Sequence, residues 1–256
     1  MTSGARVWMW AATYFLTIAL SPPAHLTSCS LSLQPRATST RMIGSFFSNL
    51  RDGIRKLQEI DYAGLEGLPG SFAREAGERA LAGEVPVHSK DGKYDVATFA
   101  GGCFWGTELH FQRMPGVIAT AVGYTQGEED KPTYSDVCTG ATGHTEGLQL
   151  IYDPKFVSYE TLCRKLLSTI NPTLRNRVGN DRGTQYRHGV YPHSDAQWQT
   201  AERVLKEAQA AYDRPIVTEL KRATIFWPAE NYHQRYLEKG GQSAAKDAAE
   251  KVRCYG

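Results

Sequence analysis

A chain of 256 residues that is 41% hydrophobic and 22% charged has enough apolar material for one well-filled core with length left for appendages. The formal net charge is +2, yet residues 1–51 hold four arginines (Arg6, Arg36, Arg41, Arg51) and no acid, so the remainder carries −2 and offers no basic face for nucleic acid. The five cysteines (Cys29, Cys103, Cys138, Cys163, Cys254) form no CxxC pair and no Cys/His spacing, which argues against a disulfide scaffold or a metal site and turns attention to single reactive thiols.

In chain order, Val7–Leu20 is an apolar run too short for a membrane span, broken by Ser21, Pro22 and Pro23, as in the h-region of a signal peptide. The stretch that follows, through Ser45, is rich in Ser and Thr, contains Arg and lacks acids, as transit peptides do. Residues 1–45 thus resemble the bipartite presequence of an alga with a secondarily acquired plastid, and plastid targeting is expected. The alternative is one secretory signal and a spacer; neither reading includes a permanent membrane anchor. Residues 46–92 are expected to form a docking extension, with helical patterns at Ile54, Leu57 and Ile60 and over Phe72–Leu81, separated by Gly64, Gly67, Pro69 and Gly70.

From Tyr94 the texture changes. Tyr94–Ala100, Val117–Tyr124, Thr145–Tyr152 and Gln185–Tyr191 read as strands, with further strands at Ile216–Leu220 and Ala223–Phe226. Phe104–Met114, Tyr159–Ile170 and Gln197–Tyr212 read as helices, the second presenting Leu162, Cys163, Leu166, Leu167 and Ile170 on one face. Strands and helices alternate without a regular βα repeat. That pattern predicts an α+β fold, a two-layer sandwich with a ferredoxin-like core and additional elements, for a catalytic domain over 93–240. Residues 241–256 lack a burying face and are expected to form a mobile tail.

Gly101-Gly102-Cys103-Phe104-Trp105-Gly106 sets a thiol where a strand ends and a helix begins. Unpaired N–H groups and the positive end of the helix dipole favour a thiolate there. In Gly143-His144-Thr145-Glu146-Gly147-Leu148-Gln149-Leu150, alternation puts Glu146 on the face of Leu148 and Leu150. Burial there raises the carboxyl pKa and suits a general acid. Each feature alone also has a plainer reading: a cysteine packed as a small hydrophobe, an exposed glutamate at a sheet edge, Phe104 and Trp105 as ordinary core.

Taken together, Gly102-Cys103-Phe104-Trp105, Pro132-Thr133-Tyr134, Gly143-His144-Thr145-Glu146, Tyr152-Asp153-Pro154, Asn180 to Arg187 and Glu230-Asn231-Tyr232-His233-Gln234 resemble peptide methionine sulfoxide reductases of type A, in that family's order. The resemblance implies that Cys103 attacks the sulfoxide sulfur, Glu146 protonates the departing oxygen, and Tyr134 and Tyr186 hydrogen-bond it. It further implies that Phe104 and Trp105 form the S-methyl pocket and that Asp181 joins the polar network beside Tyr186. The family acts on the S epimer without metal or organic cofactor. It leaves a sulfenic acid that a second thiol resolves and thioredoxin finally reduces. Cys254, in the tail, is the expected resolving thiol, with Cys138 as the fallback and Cys163 as core. The chain ending Arg253-Cys254-Tyr255-Gly256 is similar to plant-type members, which usually carry two cysteines there. The chain departs from the family at Ile170-Asn171, Val178, Gly147 and His188.

Two other readings stay open at this stage. A papain-like hydrolase would pair Cys103 with His144, His188 or His233. A non-catalytic module would use Cys103 to sense peroxide or bind oxidised methionine. A monomer is expected.

Overall fold

The computed structural model describes residues 60–62, 65 and 72–254; the expected presequence, Cys29 and the pattern at Ile54 and Leu57 lie outside the described residues. One six-stranded sheet organises the domain, in the order β7-β6-β1-β3-β2-β8, from β1 (Asp95–Gly101), β2 (Val117–Thr125), β3 (Thr145–Tyr152), β6 (His188–Tyr191), β7 (Glu219–Leu220) and β8 (Trp227–Pro228). A hairpin of β4 (Arg177–Val178) and β5 (Asp181–Arg182) stands apart from it. Neighbouring strands are antiparallel except β6 and β7.

Because strand side chains alternate, each strand feeds two layers. Ala97 and Phe99 of β1, Val122 and Tyr124 of β2, and Leu148 and Leu150 of β3 are buried in one core. The registers Phe99↔Leu148 and Val122↔Leu148 set them side by side. Two helices close this face. The first is α2 (Phe104–Gln112), whose Phe111 stacks on Phe99 with ring centroids 5.1 Å apart. The second is α4 (Tyr159–Thr169), capped where Ser158 Oγ accepts from Thr161 N–H and burying Leu162, Cys163 and Leu166. Helix α5 (Asp195–Gln209), capped in the same way by Ser194, packs beside α4 and adds Ala201 and Val204.

On the opposite face, Val96, Ala119, Ala121 and Ile151 meet Phe72, Ala73 and Ala76, the latter two from helix α1 (Ala73–Leu81). Two layers therefore describe residues 95–239, and the preceding segment supplies a third element against the sheet. Among the described residues there are six α-helices, and none is long and apolar enough to cross a membrane.

The boundaries differ from expectation where backbone pairing ends. Thr184–Tyr186 is a single 3-10 turn, not the start of a strand, because Gly183 (φ +134°) turns the chain. Arg187 then holds that turn by donating to the carbonyls of Thr184, His144 and Gly143. The strand expected at Ile216–Leu220 shrinks to Glu219–Leu220, and Ala223–Phe226 is not a strand: the last pairing is at Trp227–Pro228, where Pro228 has no N–H to extend a ladder. The expectation of a free tail also needs correction. After α6 (Tyr236–Lys239), residues 241–254 lie along the domain, held by Arg113, Lys246 and Gln242 through backbone carbonyls and amides.

Candidate active site

Only Gly102 and Cys103 separate strand β1 from α2, and Cys103 is the residue that caps the helix start. A helix leaves its first amides without intrahelical partners. Here the first of them finds a partner on β3: Phe104 N–H donates to Glu146 Oε2 at 2.9 Å. The amides of Trp105 and Gly106 act to lower the thiols of Cys103 and Cys254 respectively. Gly102 makes the turn possible at φ +79°, and a Cβ there would lie 2.4 Å from Cβ of Val178 on the β4–β5 hairpin. Val178, one of the chain's departures from the family pattern, thus covers the turn that holds Cys103.

Glu146 lies opposite Tyr124 in the β2–β3 register and is only 2% exposed. Its pKa is pushed up to about 8, first by burial and then by the charges of Asp181 and Cys254, against the lowering effect of the Phe104 amide. At neutral pH it is a carboxylic acid. Tyr186, in the 3-10 turn, is pushed up to about 12 by burial and then by the charges of Glu146, Cys138, Asp181 and Cys103. Tyr134 opens the short helix α3 (Tyr134–Cys138), which has a full capping box between Thr133 and Asp136. Burial, its bond with Cys138 and the charge of Glu146 raise its hydroxyl above the ordinary value. Both phenols are therefore hydrogen-bond donors, beside a neutral acid.

The two thiols behave as a pair. Cys103 and Cys254 are free of disulfide and hydrogen-bonded to one another. The Cys254 thiol is lowered, first by that bond, while Cys103 is raised by the same bond, by burial and by the charge of Glu146. The two directions are opposite because one sulfur donates and the other accepts in that bond.

Aromatic rings wall the site. The Trp105 indole stacks on Tyr236 with centroids 3.9 Å apart and donates from Nε1 to His233 Nδ1 at 3.1 Å. Phe104 is buried beneath, its ring 5.1 Å from His233 and 6.0 Å from Tyr124. Trp105, Tyr232, Tyr236, Leu237 and Cys254 line a cleft of about 830 Å³ beside the thiols.

Sequence reasoning assigned none of the roles that five residues take here: His233, Glu230, Tyr236, Glu108 and Gly106. Burial pushes the His233 imidazole down to about 4, so it is neutral and serves as the acceptor that fixes Trp105. Glu230 accepts from the Tyr134 amide and the Tyr124 hydroxyl, both at 2.9 Å. Tyr236 is aimed by Glu108, whose buried carboxyl accepts Arg235 N–H at 2.8 Å and so fixes the left-handed residue (φ +53°) that starts α6. Gly106 gives the tail cysteine its seat. Glu230 and His233 stand in one of the quoted motifs, so that motif was the available signal. Gly106 and Tyr236 gave none.

The papain-like pairing is absent. His144 accepts from Gly127 N–H and bonds the Glu129 carbonyl, His188 bonds the Leu174 carbonyl, and His233 is engaged by Trp105. Cys138 is exposed and bonded to Tyr134, and Cys163 is buried on α4 with its thiol pushed up to about 12. No group of three or more His, Cys, Asp or Glu among the described residues is arranged to hold a metal ion.

Comparison with known proteins gives a consistent picture. A family model described as peptide methionine sulfoxide reductase matches residues 95–253, ending one residue before Cys254. Peptide methionine sulfoxide reductase A2-1 of Oryza sativa subsp. japonica is 50% identical over 181 residues, which is 71% of this chain and 96% of that protein. Peptide methionine sulfoxide reductase A4, chloroplastic, of Arabidopsis thaliana is 48% identical over 165 residues, covering 62% of this chain and 64% of that protein. Among solved structures, Mxr1 from Saccharomyces cerevisiae in reduced form superposes with a TM-score of 0.57 at 36% identity, covering 62% of this chain and 92% of that one. The matched span contains Cys103, Glu146, Tyr134, Tyr186 and Asp181 on the elements that build the site, and the chain belongs to the peptide methionine sulfoxide reductase family.

Proposed function

We propose that this protein reduces methionine S-sulfoxide, free or within oxidised proteins, to methionine, with Cys103 as nucleophile and Glu146 as general acid. The observation that carries this reading is the buried carboxyl of Glu146, held by the amide of Phe104, the residue next to Cys103 at the start of α2. A sulfoxide oxygen leaves only when protonated. A thiolate on sulfur and a neutral carboxylic acid on oxygen are the minimum for the step. The Cys103 sulfur attacks the sulfoxide sulfur, the S–O bond passes its oxygen to Cys103 as sulfenic acid, and methionine leaves. Tyr134 and Tyr186 donate to that oxygen, Asp181 orders the polar side, and Phe104 and Trp105 hold the S-methyl group and exclude water.

The sulfenic acid is then attacked by Cys254. A sulfur–sulfur bond forms, the hydroxyl leaves as water, and a dithiol such as thioredoxin reduces the disulfide. Both thiols belong to one chain, so a monomer suffices. The run β1-α2-β2-β3-α4-β6, with the four strands ordered β6-β1-β3-β2, supports reading the core as ferredoxin-like. Residues 1–45 are taken as a plastid-directing presequence and 93–240 as the catalytic domain. Import of residues 1–60 fused to a fluorescent protein checks the former, and label confined to secretory compartments rejects it.

The test of function is incubation of the protein with each methionine sulfoxide epimer and dithiothreitol. Methionine is expected from the S epimer alone. No turnover of either epimer would defeat the proposal.

A further inference from the structure

The tail is tied into a loop with two independent attachments. At its neck, Gln242 Nε2 donates to the Arg253 carbonyl at 2.7 Å, and Arg253 N–H donates to Gln242 Oε1 at 3.0 Å. One glutamine side chain thereby closes the loop at the residue that precedes Cys254. At its far end the loop is fixed to the C-terminal end of α2. Lys246 Nζ donates to the carbonyls of Gln112 and Val117, each at 2.7 Å, and Asp247 N–H donates to the Arg113 carbonyl at 2.9 Å. The Arg113 side chain reaches back to the carbonyls of Ser243 and Glu250. Carbonyls at a helix C-terminus lack intrahelical partners and carry partial negative charge, so a lysine ammonium is a well-matched anchor. The far end of the loop therefore sits where α2 ends, and its neck delivers the cysteine where α2 begins.

We propose that Gln242, Lys246 and Arg113 are positioning residues for the resolving step: they hold residues 242–253 as a preformed loop that presents Cys254 to Cys103. The inference rests on the reading of Cys254 as the resolving thiol. A free chain of this length spans about 20 Å, with its cysteine at an effective concentration on the order of millimolar. Closing the neck and anchoring the far end removes most of that search before the sulfenic acid forms. The anchors contact no substrate atom, so sulfoxide reduction itself is indifferent to them. The step they serve is attack of the Cys254 sulfur on the Cys103 sulfenic sulfur, with the sulfenic hydroxyl leaving as water.

The experiment uses the full chain in single turnover with methionine S-sulfoxide and no reductant, comparing wild type with Gln242→Ala, Lys246→Met and Lys246→Arg. Two quantities are followed: methionine released, and Cys103–Cys254 disulfide formed, with dimedone trapping the sulfenic acid between them. Gln242→Ala and Lys246→Met are expected to release methionine at the wild-type rate but to form the disulfide at least about tenfold more slowly, with longer-lived dimedone reactivity. Lys246→Arg, which keeps the charge and the donors, is expected to restore the rate. Disulfide formation at the wild-type rate in both Gln242→Ala and Lys246→Met would overturn the proposal, as would equal loss of methionine release and disulfide formation. Cys254→Ser separates the two readings, since normal thioredoxin-driven turnover in that variant would remove the role of Cys254 itself.

Discussion

Replacing Glu146 by Gln keeps the shape and an acceptor for the Phe104 amide while removing the acidic proton. With its pKa pushed up to about 8, Glu146 is roughly nine-tenths protonated at pH 7, about 300 times the fraction expected for an unshifted glutamate. Burial thus supplies acid at neutral pH. Loss of a general acid costs roughly 10² to 10⁴ in rate, or about 3 to 5 kcal/mol of barrier. The cleanest assay is rapid-quench release of methionine in a Cys254→Ser background, where the neighbouring sulfur no longer titrates. Between pH 6 and 9.5 the parent rate should fall as pH rises towards 8, somewhat earlier than in the Cys254-containing chain because the Cys254 charge that raises the carboxyl is gone. Glu146→Gln should be slower and lack that fall. Stability has a matching sign. The folded carboxyl holds its proton to about 8 while the unfolded one loses it near 4.5, so this group's contribution declines as pH rises between those values. At pH 9 the Gln variant should resist urea better than its parent. A variant within about twofold of its parent in rate, or one showing the same fall near pH 8, would refute acid catalysis by Glu146.

Trp105→Ala removes the ring stacked on Tyr236 and held by His233. Sulfoxide turnover should drop roughly tenfold or more, the scale of a misfitted methyl group, while iodoacetamide labelling of Cys103 in the Cys254→Ser background stays nearly unchanged; a parallel fall in both would make Trp105 structural. Gly106→Ala places a Cβ 2.4 Å from the Cys254 sulfur. Ala suits a helix better than Gly by roughly 0.5–1 kcal/mol, so the variant should fold and release its first methionine normally, yet form the Cys103–Cys254 disulfide slowly. A wild-type rate of disulfide formation there would place the docking of Cys254 elsewhere.

Much of this site was readable from local signals. The Gly-Gly-Cys turn between a strand and a helix marks Cys103, and alternation puts Glu146 on the face of Leu148 and Leu150, where it is buried, as is every residue of Thr145–Tyr152. Cys163 was read as core from its helical face and is buried there. What alternation cannot show is a position set by side chains reaching backbone groups. The tail carries no apolar period because Lys246, Gln242 and Arg113 hold it through carbonyls and amides, and it was therefore expected to be free. The pairing of Cys254 with Cys103 follows from that docking. The same limit applies to Gln185–Tyr186, where Gly183 and the Arg187 contacts override a strand-like pattern. His233 shows a different gap: a lone buried histidine looks structural until its acceptor nitrogen is found to hold Trp105.

The central claim is a relay confined to Cys103 and Cys254, and thiol chemistry in Cys254→Ser tests it most directly. Given excess methionine S-sulfoxide and thioredoxin, that variant should release one methionine per chain, carry a dimedone-trappable sulfenic acid on Cys103, and then turn over little. Normal turnover with thioredoxin, together with peptide maps showing Cys103 bonded to Cys138, would contradict the relay and make Cys138 the resolving thiol.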